Sequence, residues 1–503
     1  MSRRRLSLRC ALLFAALAPV VGCTASPTPT AAGSTDSTAL VLAVPNEPAD
    51  VNPLAGYGTD GAAKVYDGLL EHQADLSVRP ALATDLPTSS PDGKTWTIPL
   101  RSGVKFTDGT TFDAQDVIAT YSALLNPAYN SPLRSRYSMI TAVTAPGTGL
   151  VKFELSQPYA PFPELLVLGI LPSEALTGPG QPVKPVGTGP YQLEEWKHGE
   201  SMTLRANTSY FEGAPAIARV TVQFVPDDDA RAKLIKDSKL DGAPLAPAQA
   251  KTFEKADAFT ILPQRSAAIR AITMPSDNPV TADPTIRLAL NYAVNRKGMI
   301  DGPLAGRGIE TSTPVSPVLA EFYEPTAKFS HDVPTAKSLL DGGGWPAGAN
   351  GVRMKAGVAS AFTVAYPIGD TVARDLTTAF AADADAVGIR VQTKAGAPGP
   401  GEAAVIQFGD PFDPDLSLYP LLHTAFPTEL DAGRSTTDPA QRAVAYRKLQ
   451  RSYIEGPNMV VLAGVDHTYL LRRNWTGYQP IVDTTSEDAT WGAFWNLETW
   501  KPR

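Results

Sequence analysis

The sequence contains very little cysteine. Cys10 and Cys23 are the two cysteines among 503 residues, and both lie near the amino terminus. Residues 24–503 therefore have no thiol for a disulfide, a CxxC zinc site or a cysteine nucleophile. These three kinds of chemistry are excluded for the main part of the chain.

Several other sequence signatures of chemistry are missing. The five histidines are scattered, without an HExxH motif or a pair at metal-ligand spacing, and the chain has no GxSxG motif. Gly187 and Gly189 frame a turn, but a third glycine is lacking and Pro190 follows at once, so a phosphate-binding loop is not indicated. The sequence gives no support to a zinc hydrolase, a common serine hydrolase or a nucleotide-binding enzyme.

Positive charge is also scarce. The chain has 44 lysines and arginines against 51 aspartates and glutamates, a net charge of −7. The sequence has no basic stripe with interleaved aromatic residues, so it indicates no surface that could bind the phosphates of nucleic acid. We therefore expect no nucleic-acid partner.

The length and composition indicate a folded protein of more than one lobe. A single hydrophobic core stops growing at roughly 250–300 residues, and this chain has 503, of which 43% are apolar and 19% charged. Predicted helices, such as those that begin at Asp283-Pro284 and Asp438-Pro439, alternate with short apolar strands such as 39–44 and "AAVIQFG". This alternation predicts an α/β fold.

The amino terminus has the pattern of an export signal. "MSRRRLSLRC" is basic, and the apolar run "ALLFAALAPVVGC" that follows is too short to span a bilayer, which needs about 20 residues. The end of the run, Val20-Val21-Gly22-Cys23, resembles a bacterial lipobox. That resemblance implies cleavage before Cys23 and lipid attachment to its sulfur.

The first 38 residues are accordingly predicted to form no part of the folded body. We expect a lipoprotein signal peptide at 1–22, and a lipidated Cys23 followed by a flexible tether at 23–38. Removal of the signal would change the net charge from −7 to −11, since it carries four arginines and no acid. The protein is predicted to be extracytoplasmic and anchored by lipid to the outer face of the cytoplasmic membrane. Export by the Sec or the twin-arginine route stays open.

The stretch "VIQFGDPFDPDL" places three aspartates, Asp410, Asp413 and Asp415, directly after an apolar run. Such carboxylates can hold a metal, serve as an acid–base pair, bind a cationic ligand or cap a turn. The spacing fails as an EF-hand because the required glycine and final glutamate are absent. Asp413 and Asp415 flank Pro414, which is typical of turn formers, while acid–base work with Asp410 stays open.

An ordered set of segments along the chain resembles one known family. The segments are "RPALATDLPTSSPDGKTWTIPLRSGVKFTDGTTFDAQDV", "PVGTGPYQLEEW", "NTSYFEGAPAIARVTVQFVPD", "IRLALNYAVNRKGMI", "AKSLLDGGGW" and "GDPFDPD". They are similar to the successive signatures of the family 5 extracellular solute-binding proteins, the peptide and nickel-type receptors of bacterial ABC importers. The resemblance extends over nearly the whole predicted mature chain.

The resemblance implies a fold and a division into domains. The expected fold is a bilobal α/β fold, periplasmic-binding-protein-like (type II, cluster C), with an extra subdomain on the first lobe. Carried onto this chain, lobe I would comprise residues 39–55, 181–272 and 475–503. The extra subdomain would be 56–180, and lobe II would be 273–474. A ligand would be enclosed between the lobes.

The same resemblance implies roles for individual residues. Asp410 aligns with the aspartate that binds the N-terminal ammonium of peptide ligands, and Phe408 and Asp413 are predicted as further ligand contacts. Gln407 stands where those receptors have a tryptophan. The nickel-type receptors have G-A-P-Y-D-P-H in this region, with a histidine downstream, for which His423 is the candidate here.

The predicted function is that of a receptor that captures di- or oligopeptides and delivers them to an ABC permease. It would be a monomer without enzymatic activity, resident cofactor or metal. The alternative ligand is a nickel or other metal chelate, or another small cationic solute. Two further alternatives are a lipoprotein hydrolase that uses the aspartate cluster and an interaction lipoprotein with an empty cleft.

Overall fold

The structure is a computed structural model that describes residues 38–485 and 490–503. The predicted signal peptide, Cys23 and all but the last residue of the tether lie outside the described residues. Within the described ranges, no helix has the length and apolar character needed to cross a membrane.

The described residues form short strands, numbered here in chain order. They are β1 (Ala39–Val44), β2 (Leu70–His72), β3 (Val78–Pro80), β4 (Thr88–Ser89), β5 (Thr95–Pro99), β6 (Ile140–Gly147), β7 (Leu150–Leu155), β8 (Tyr191–Lys197), β9 (Ser201–Ala206), β10 (Arg219–Phe224), β11 (Gly242–Pro244), β12 (Phe259–Gln264), β13 (Ile269–Thr273), β14 (Gly308–Ile309), β15 (Met354–Lys355), β16 (Val358–Ala359), β17 (Ala361–Tyr366), β18 (Arg390–Ala395), β19 (Ala403–Phe408), β20 (Met459–Val465), β21 (His467–Arg472), β22 (Trp475–Thr476) and β23 (Lys501–Pro502).

The helices are concentrated in the second half of the chain. They are α1 (Ala114–Leu125), α2 (Phe162–Leu165), α3 (Asp228–Lys236), α4 (Pro247–Lys251), α5 (Pro284–Ala293), α6 (Arg296–Asp301), α7 (Val333–Gly342), α8 (Thr371–Ala386), α9 (Pro414–Leu422), α10 (Pro427–Ser435) and α11 (Pro439–Glu455).

Local sequence signals account for where several helices begin. Asp113 accepts a hydrogen bond from the Gln115 amide, and Asp116 accepts one from the Asp113 amide, which makes a capping box at α1. Asp283 caps α5 and Asp438 caps α11, each followed by proline at the first helical position. The helix starts predicted at Asp283 and Asp438 are confirmed.

Two mixed sheets form the two lobes. Lobe I holds a seven-stranded sheet in the order β12-β21-β11-β1-β10-β9-β8, in which β1 is parallel to β10 and β11. Lobe II holds a six-stranded sheet in the order β14-β20-β13-β19-β17-β18, with β17 parallel to both neighbours. A separate four-stranded antiparallel sheet, β4-β5-β7-β6, belongs to the extra subdomain.

Two stretches of extended chain join the lobes. Residues 265–268 lead from β12 in the first sheet to β13 in the second, and Asp466 alone separates β20 in the second sheet from β21 in the first. These residues are called the hinge below. Both crossings lie earlier in the chain than the lobe boundaries expected from the sequence, residues 272 and 474.

The extra subdomain shares its core with lobe I. One continuous cluster of buried side chains includes Leu42 and Val220 from the lobe I sheet together with Phe153 and Leu168 from the subdomain. Each such side chain contributes roughly 1.5–3 kcal/mol when fully buried. Lobe II has cores of its own, around Leu290 and around Ile269. The subdomain and lobe I therefore form one packed body, to which lobe II is joined through the hinge.

The turn containing Gly187 and Gly189 packs directly against the backbone of the subdomain. A Cβ on Gly187 would lie 2.0 Å from the Val65 carbonyl oxygen, and one on Gly189 would lie 2.5 Å from the Val65 carbonyl carbon. The Gly189 amide donates to that oxygen at 3.0 Å. The two glycines permit this close approach where the chain returns to lobe I.

Candidate functional site in the cleft between the lobes

A cavity of about 270 Å³ lies between the lobes beside the hinge. Its lining includes Asn46, Arg231 and Leu245 from lobe I, Arg270, Asp370 and Gln407 from lobe II, and Asp466 and Thr468 at the second crossing. Ligands of two-lobed proteins bind preferentially in such concave spaces between domains. We take this cleft as the candidate site.

The lobes touch on both sides of the cleft. The Thr371 hydroxyl, at the start of α8 in lobe II, donates to Asp228 at the start of α3 in lobe I at 2.6 Å. On the side of the extra subdomain, the Tyr159 hydroxyl donates to Asp415 at 3.0 Å. The protein is therefore in a closed arrangement.

Most charged groups in the cavity are paired. Arg231 is paired with Asp228 and donates to the Pro244 carbonyl at 2.9 Å. Arg270 lies 2.9 Å from Asp370. Because both arginines have acidic partners, the cavity is not dominated by either sign of charge.

Three buried polar atoms that line or adjoin this cavity have no hydrogen-bond partner among the described residues. They are Nε of Arg270, Oδ1 of Asp466 and Oγ1 of Thr468. Buried polar atoms in native proteins are nearly always satisfied by protein, water or ligand. These atoms are thus available for a bound molecule.

Asp410 follows β19 through Gly409, whose φ of +128° turns the chain out of the strand. Its Oδ1 accepts hydrogen bonds from the amides of Phe412 at 2.9 Å and Asp413 at 3.4 Å. Burial raises the pKa of the Asp410 carboxyl, and the nearby charge of Arg136 opposes that shift. Among the described residues, no cationic side chain lies within 4.0 Å of this carboxylate.

An aromatic cluster adjoins Asp410. The Phe412 ring stacks on His72 with centroids 3.4 Å apart, and it meets Trp491 edge-on at 4.9 Å. His72 is fixed by Glu164 at 2.8 Å and by the Asp60 carbonyl at 2.6 Å. Aromatic surface is therefore present near Asp410, although Gln407 has replaced the expected tryptophan.

Gln407 itself lines the cavity and donates to the Thr485 carbonyl at 2.6 Å. It thereby ties β19 of lobe II to the chain segment that precedes the carboxyl-terminal residues. The sequence offered no signal for this contact or for the positions of His72, Arg136 and Trp491 near Asp410. These groups come from distant parts of the chain.

Phe408 and Asp413, the other two predicted ligand contacts, have packing and pairing roles. Phe408 is 8% exposed and lies in the lobe II core with Ile269 and Leu418. Asp413 caps α9 and forms an ion pair with Arg442 at 2.7 Å. Like Asp410, neither side chain is among the residues that line this cavity. Because Phe408 is committed to packing and Asp413 to an ion pair, we leave both out of the proposed contact set.

Asp415 is likewise engaged. It is fully buried and bound by Arg434 at 2.9 Å as well as by Tyr159. With Asp413 and Asp415 both held by arginines, Asp410 has no second uncommitted carboxylate beside it for an acid–base pair. The turn-forming interpretation of Asp413 is confirmed by its position as the N-cap of α9.

His423, the candidate for the nickel alternative, lies elsewhere. Its ring stacks on Tyr419 and its Nε2 lies 3.0 Å from the exposed Asp431. In the part of the chain that the structure describes, no group of three His, Cys, Asp or Glu side chains is placed to hold a metal ion.

Comparison with known proteins agrees with this architecture. The profile of the bacterial extracellular solute-binding proteins, family 5, matches residues 77–426. The chain is similar to protein XP55 of Streptomyces lividans, 38% identical over 92% of this chain and 91% of the relative. It is also similar to the oligopeptide-binding protein AppA of Bacillus subtilis, 28% identical over 71% of this chain and 68% of AppA.

A solved structure resembles the whole described fold. NikZ of Campylobacter jejuni, in complex with Ni(L-His), superposes with a TM-score of 0.85 at 24% identity, covering 92% of this chain and 99% of NikZ. The expected bilobal fold is thus confirmed. The chain belongs to the family 5 bacterial extracellular solute-binding proteins, extracytoplasmic receptors that bind peptides or small ligands for an ABC permease and are not enzymes.

Proposed function

We propose that this receptor captures short peptides and that Asp410 binds their N-terminal ammonium. The observation that carries the proposal is the Asp410 carboxylate itself. It lies where lobe II faces the extra subdomain, is held by two backbone amides and has no ion pair among the described residues. An ammonium offers three donors to such a carboxylate, and charge-assisted hydrogen bonds are the strong ones.

Two further observations support a peptide. The AppA relative is named as oligopeptide-binding. The cavity also presents both donors and acceptors, which the backbone of a peptide satisfies with its own carbonyl and amide groups.

The proposed mechanism is closure at the hinge. An unpaired, buried Asp410 is costly, so the closed state gains stability when a cation occupies the site. The contacts Thr371–Asp228 and Tyr159–Asp415 then hold the lobes together around the ligand. The closed receptor is the form delivered to the permease.

We predict that Asp410→Asn weakens binding of free peptides about 10- to 100-fold, the range expected for one hydrogen bond to a charged group. N-acetylation of the peptide should weaken binding to the parent protein by a similar factor and should have little further effect on the variant. Titration calorimetry with a library of di- to octapeptides, followed by acetylated forms of those that bind, measures both effects.

Binding should also depend on pH. Because burial raises the pKa of Asp410, acidification protonates it at a higher pH than an exposed aspartate, and affinity should fall as the pH is lowered. Asp431→Asn, an exposed carboxylate on α10, is the matched control and should bind peptides like the parent. Equal affinity of acetylated and free peptides, or binding of nickel–histidine and no peptide, would contradict the proposal.

We propose further that the receptor is held at the membrane by lipid on Cys23. The lipobox-like sequence before Cys23 supports this, as does the polar, Pro- and Thr-rich segment after it. Cys23→Ala should move the protein from the membrane fraction to the soluble fraction of the producing cells. A variant that stays with the membrane would rule out this anchor.

A further inference from the structure

Residues 481–485, called the strap below, lie along the hinge and pair with its first crossing. The Ala267 amide donates to the Asp483 carbonyl at 3.0 Å, and the Asp483 amide donates to the Arg265 carbonyl at 2.8 Å. Asp483 thereby forms a parallel β-bridge with Ser266. The backbone of the strap is thus held by the chain that leads from the lobe I sheet into the lobe II sheet.

The Asp483 side chain contacts the second crossing. Asp483 is fully buried, and its Oδ2 lies 2.9 Å from Nδ1 of His467 and accepts a hydrogen bond from the Tyr469 hydroxyl at 2.6 Å. His467 directly follows Asp466, the residue of the second crossing, and lines the cavity. Buried polar groups that are hydrogen-bonded in this way make their surroundings rigid. Asp483 therefore ties the strap to both crossings, to one through its backbone and to the other through its carboxylate.

The end of the strap reaches lobe II at the wall of the cavity. Nε2 of Gln407, on β19, donates to the Thr485 carbonyl at 2.6 Å, and both residues line the cavity. An N–H···O hydrogen bond weakens beyond about 3.2 Å, so a displacement of lobe II by about 1 Å relative to the strap is enough to break it. This contact therefore depends on how the two lobes are oriented.

We infer that Asp483 is a positioning residue for closure of the receptor. It fixes the strap on the hinge, so that the Thr485 carbonyl is in place to accept the Gln407 amide when lobe II closes over the cavity. The three residues form one coupled unit, in which loss of Asp483 removes the benefit of Gln407. None of them has to touch the solute, so the inference holds for any cargo and is independent of the proposed role of Asp410.

The coupling has a thermodynamic origin. An acceptor on a mobile segment loses conformational freedom when it is bound, and this loss offsets the gain from one hydrogen bond, whereas an acceptor already fixed avoids it. The start of the strap is anchored separately, since the Ile481 amide donates to Gln264 at 3.0 Å. The end is held by Asp483, whose Oδ1 accepts the Thr484 amide at 2.8 Å, next to Thr485. Loss of the carboxylate therefore frees the Thr485 carbonyl.

Closure can be measured in the ligand-free protein by single-molecule fluorescence energy transfer, which examines folded molecules only. Cys10→Ala and Cys23→Ala remove the two cysteines of the chain. Lys239→Cys and Ala386→Cys then place one dye on an exposed position of each lobe. This labelled protein is the parent for all comparisons.

We expect Asp483→Asn and Gln407→Ala each to lower the ratio of closed to open molecules about 2- to 10-fold, the range that corresponds to one hydrogen bond. The double variant should lower this ratio no further than the larger of the two single changes, because each change removes the same contact. A purely structural role of Asp483 would reduce the yield of folded protein and leave the ratio among folded molecules as it is in the parent.

Two further variants serve as controls. Gln392→Ala removes an exposed glutamine from β18 of lobe II and should leave the ratio unchanged. Tyr469→Phe removes one partner of the Asp483 carboxylate and should give a smaller change than Asp483→Asn, whose place it takes in the cycle if Asp483→Asn does not fold. If the two single effects multiply in the double variant, or if the changes at Asp483 and Tyr469 leave the ratio unaltered, the strap does not couple the hinge to the cavity wall.

Discussion

Replacing Gly409 by alanine is expected to lower the free energy of unfolding by about 3–5 kcal/mol and to abolish peptide binding. Gly409 has a φ of +128°, which an L-residue rarely adopts. In addition, a Cβ there would lie 2.0 Å from the Ala267 carbonyl oxygen of the hinge. Backbone strain and overpacking each cost roughly 1–3 kcal/mol. Relief requires that β19 move away from the hinge, which displaces Asp410.

Urea denaturation and titration calorimetry of Gly409→Ala measure the two effects. Gly103→Ala is the matched control, because Gly103 also has a positive φ, +78°, but no atom lies within 4 Å of its Cβ position. The control should lose about 1 kcal/mol and should bind normally. Were Gly409→Ala no less stable than the control and equally able to bind, β19 would not be fixed by its contact with the hinge.

Asp415→Asn is expected to destabilise lobe II by about 3–5 kcal/mol, the usual cost of removing one partner from a buried ion pair. Asp415 is fully buried and receives two nitrogens of Arg434, at 3.1 and 2.9 Å. Asparagine has no charge to match the guanidinium, which is itself mostly buried. Chemical denaturation of the ligand-free protein measures this loss.

Tyr159→Phe is the control for the other contact of Asp415. It removes the 3.0 Å hydrogen bond from the subdomain but leaves the ion pair with Arg434 in place. Its effect on stability should be about 1 kcal/mol, and peptide affinity should fall because this contact joins the subdomain to lobe II in the closed arrangement. A loss of stability as large as that of Asp415→Asn would show that the hydroxyl, and not the ion pair, dominates.

Local features of this fold were predictable from the sequence because local residues determine them. The strand Ala39–Val44 follows from its apolar run, and the starts of α5 and α11 follow from an aspartate before a proline. The pairing partners of the strands were harder to predict from the sequence. Strand β5, for example, pairs with β4 and β7, which its own residues do not indicate. Alternation identifies a strand but not the neighbour that covers its edge.

In the candidate site, too, local features were predictable from the sequence and long-range contacts were not. Asp410 was located through the resemblance of "GDPFDPD" to known receptors, and its role remains a proposal. The surroundings of Asp410 come from three other regions, represented by His72, Arg136 and Trp491. Their proximity depends on tertiary packing between the subdomain, the carboxyl-terminal segment and lobe II. The engagement of Asp413 by Arg442, 29 residues away, was equally invisible in the sequence.

The contacts that close the cleft are separate from those proposed to bind the ligand. The lobes are joined by Thr371 with Asp228 and by Tyr159 with Asp415, whereas the amine of the ligand is proposed to bind Asp410. In evolutionary terms, ligand preference and closure can therefore diverge independently. Under the proposed function, we expect that substitutions at residues lining the cavity, such as Asn46, change the preferred solute while the outer surface of the closed form stays the same.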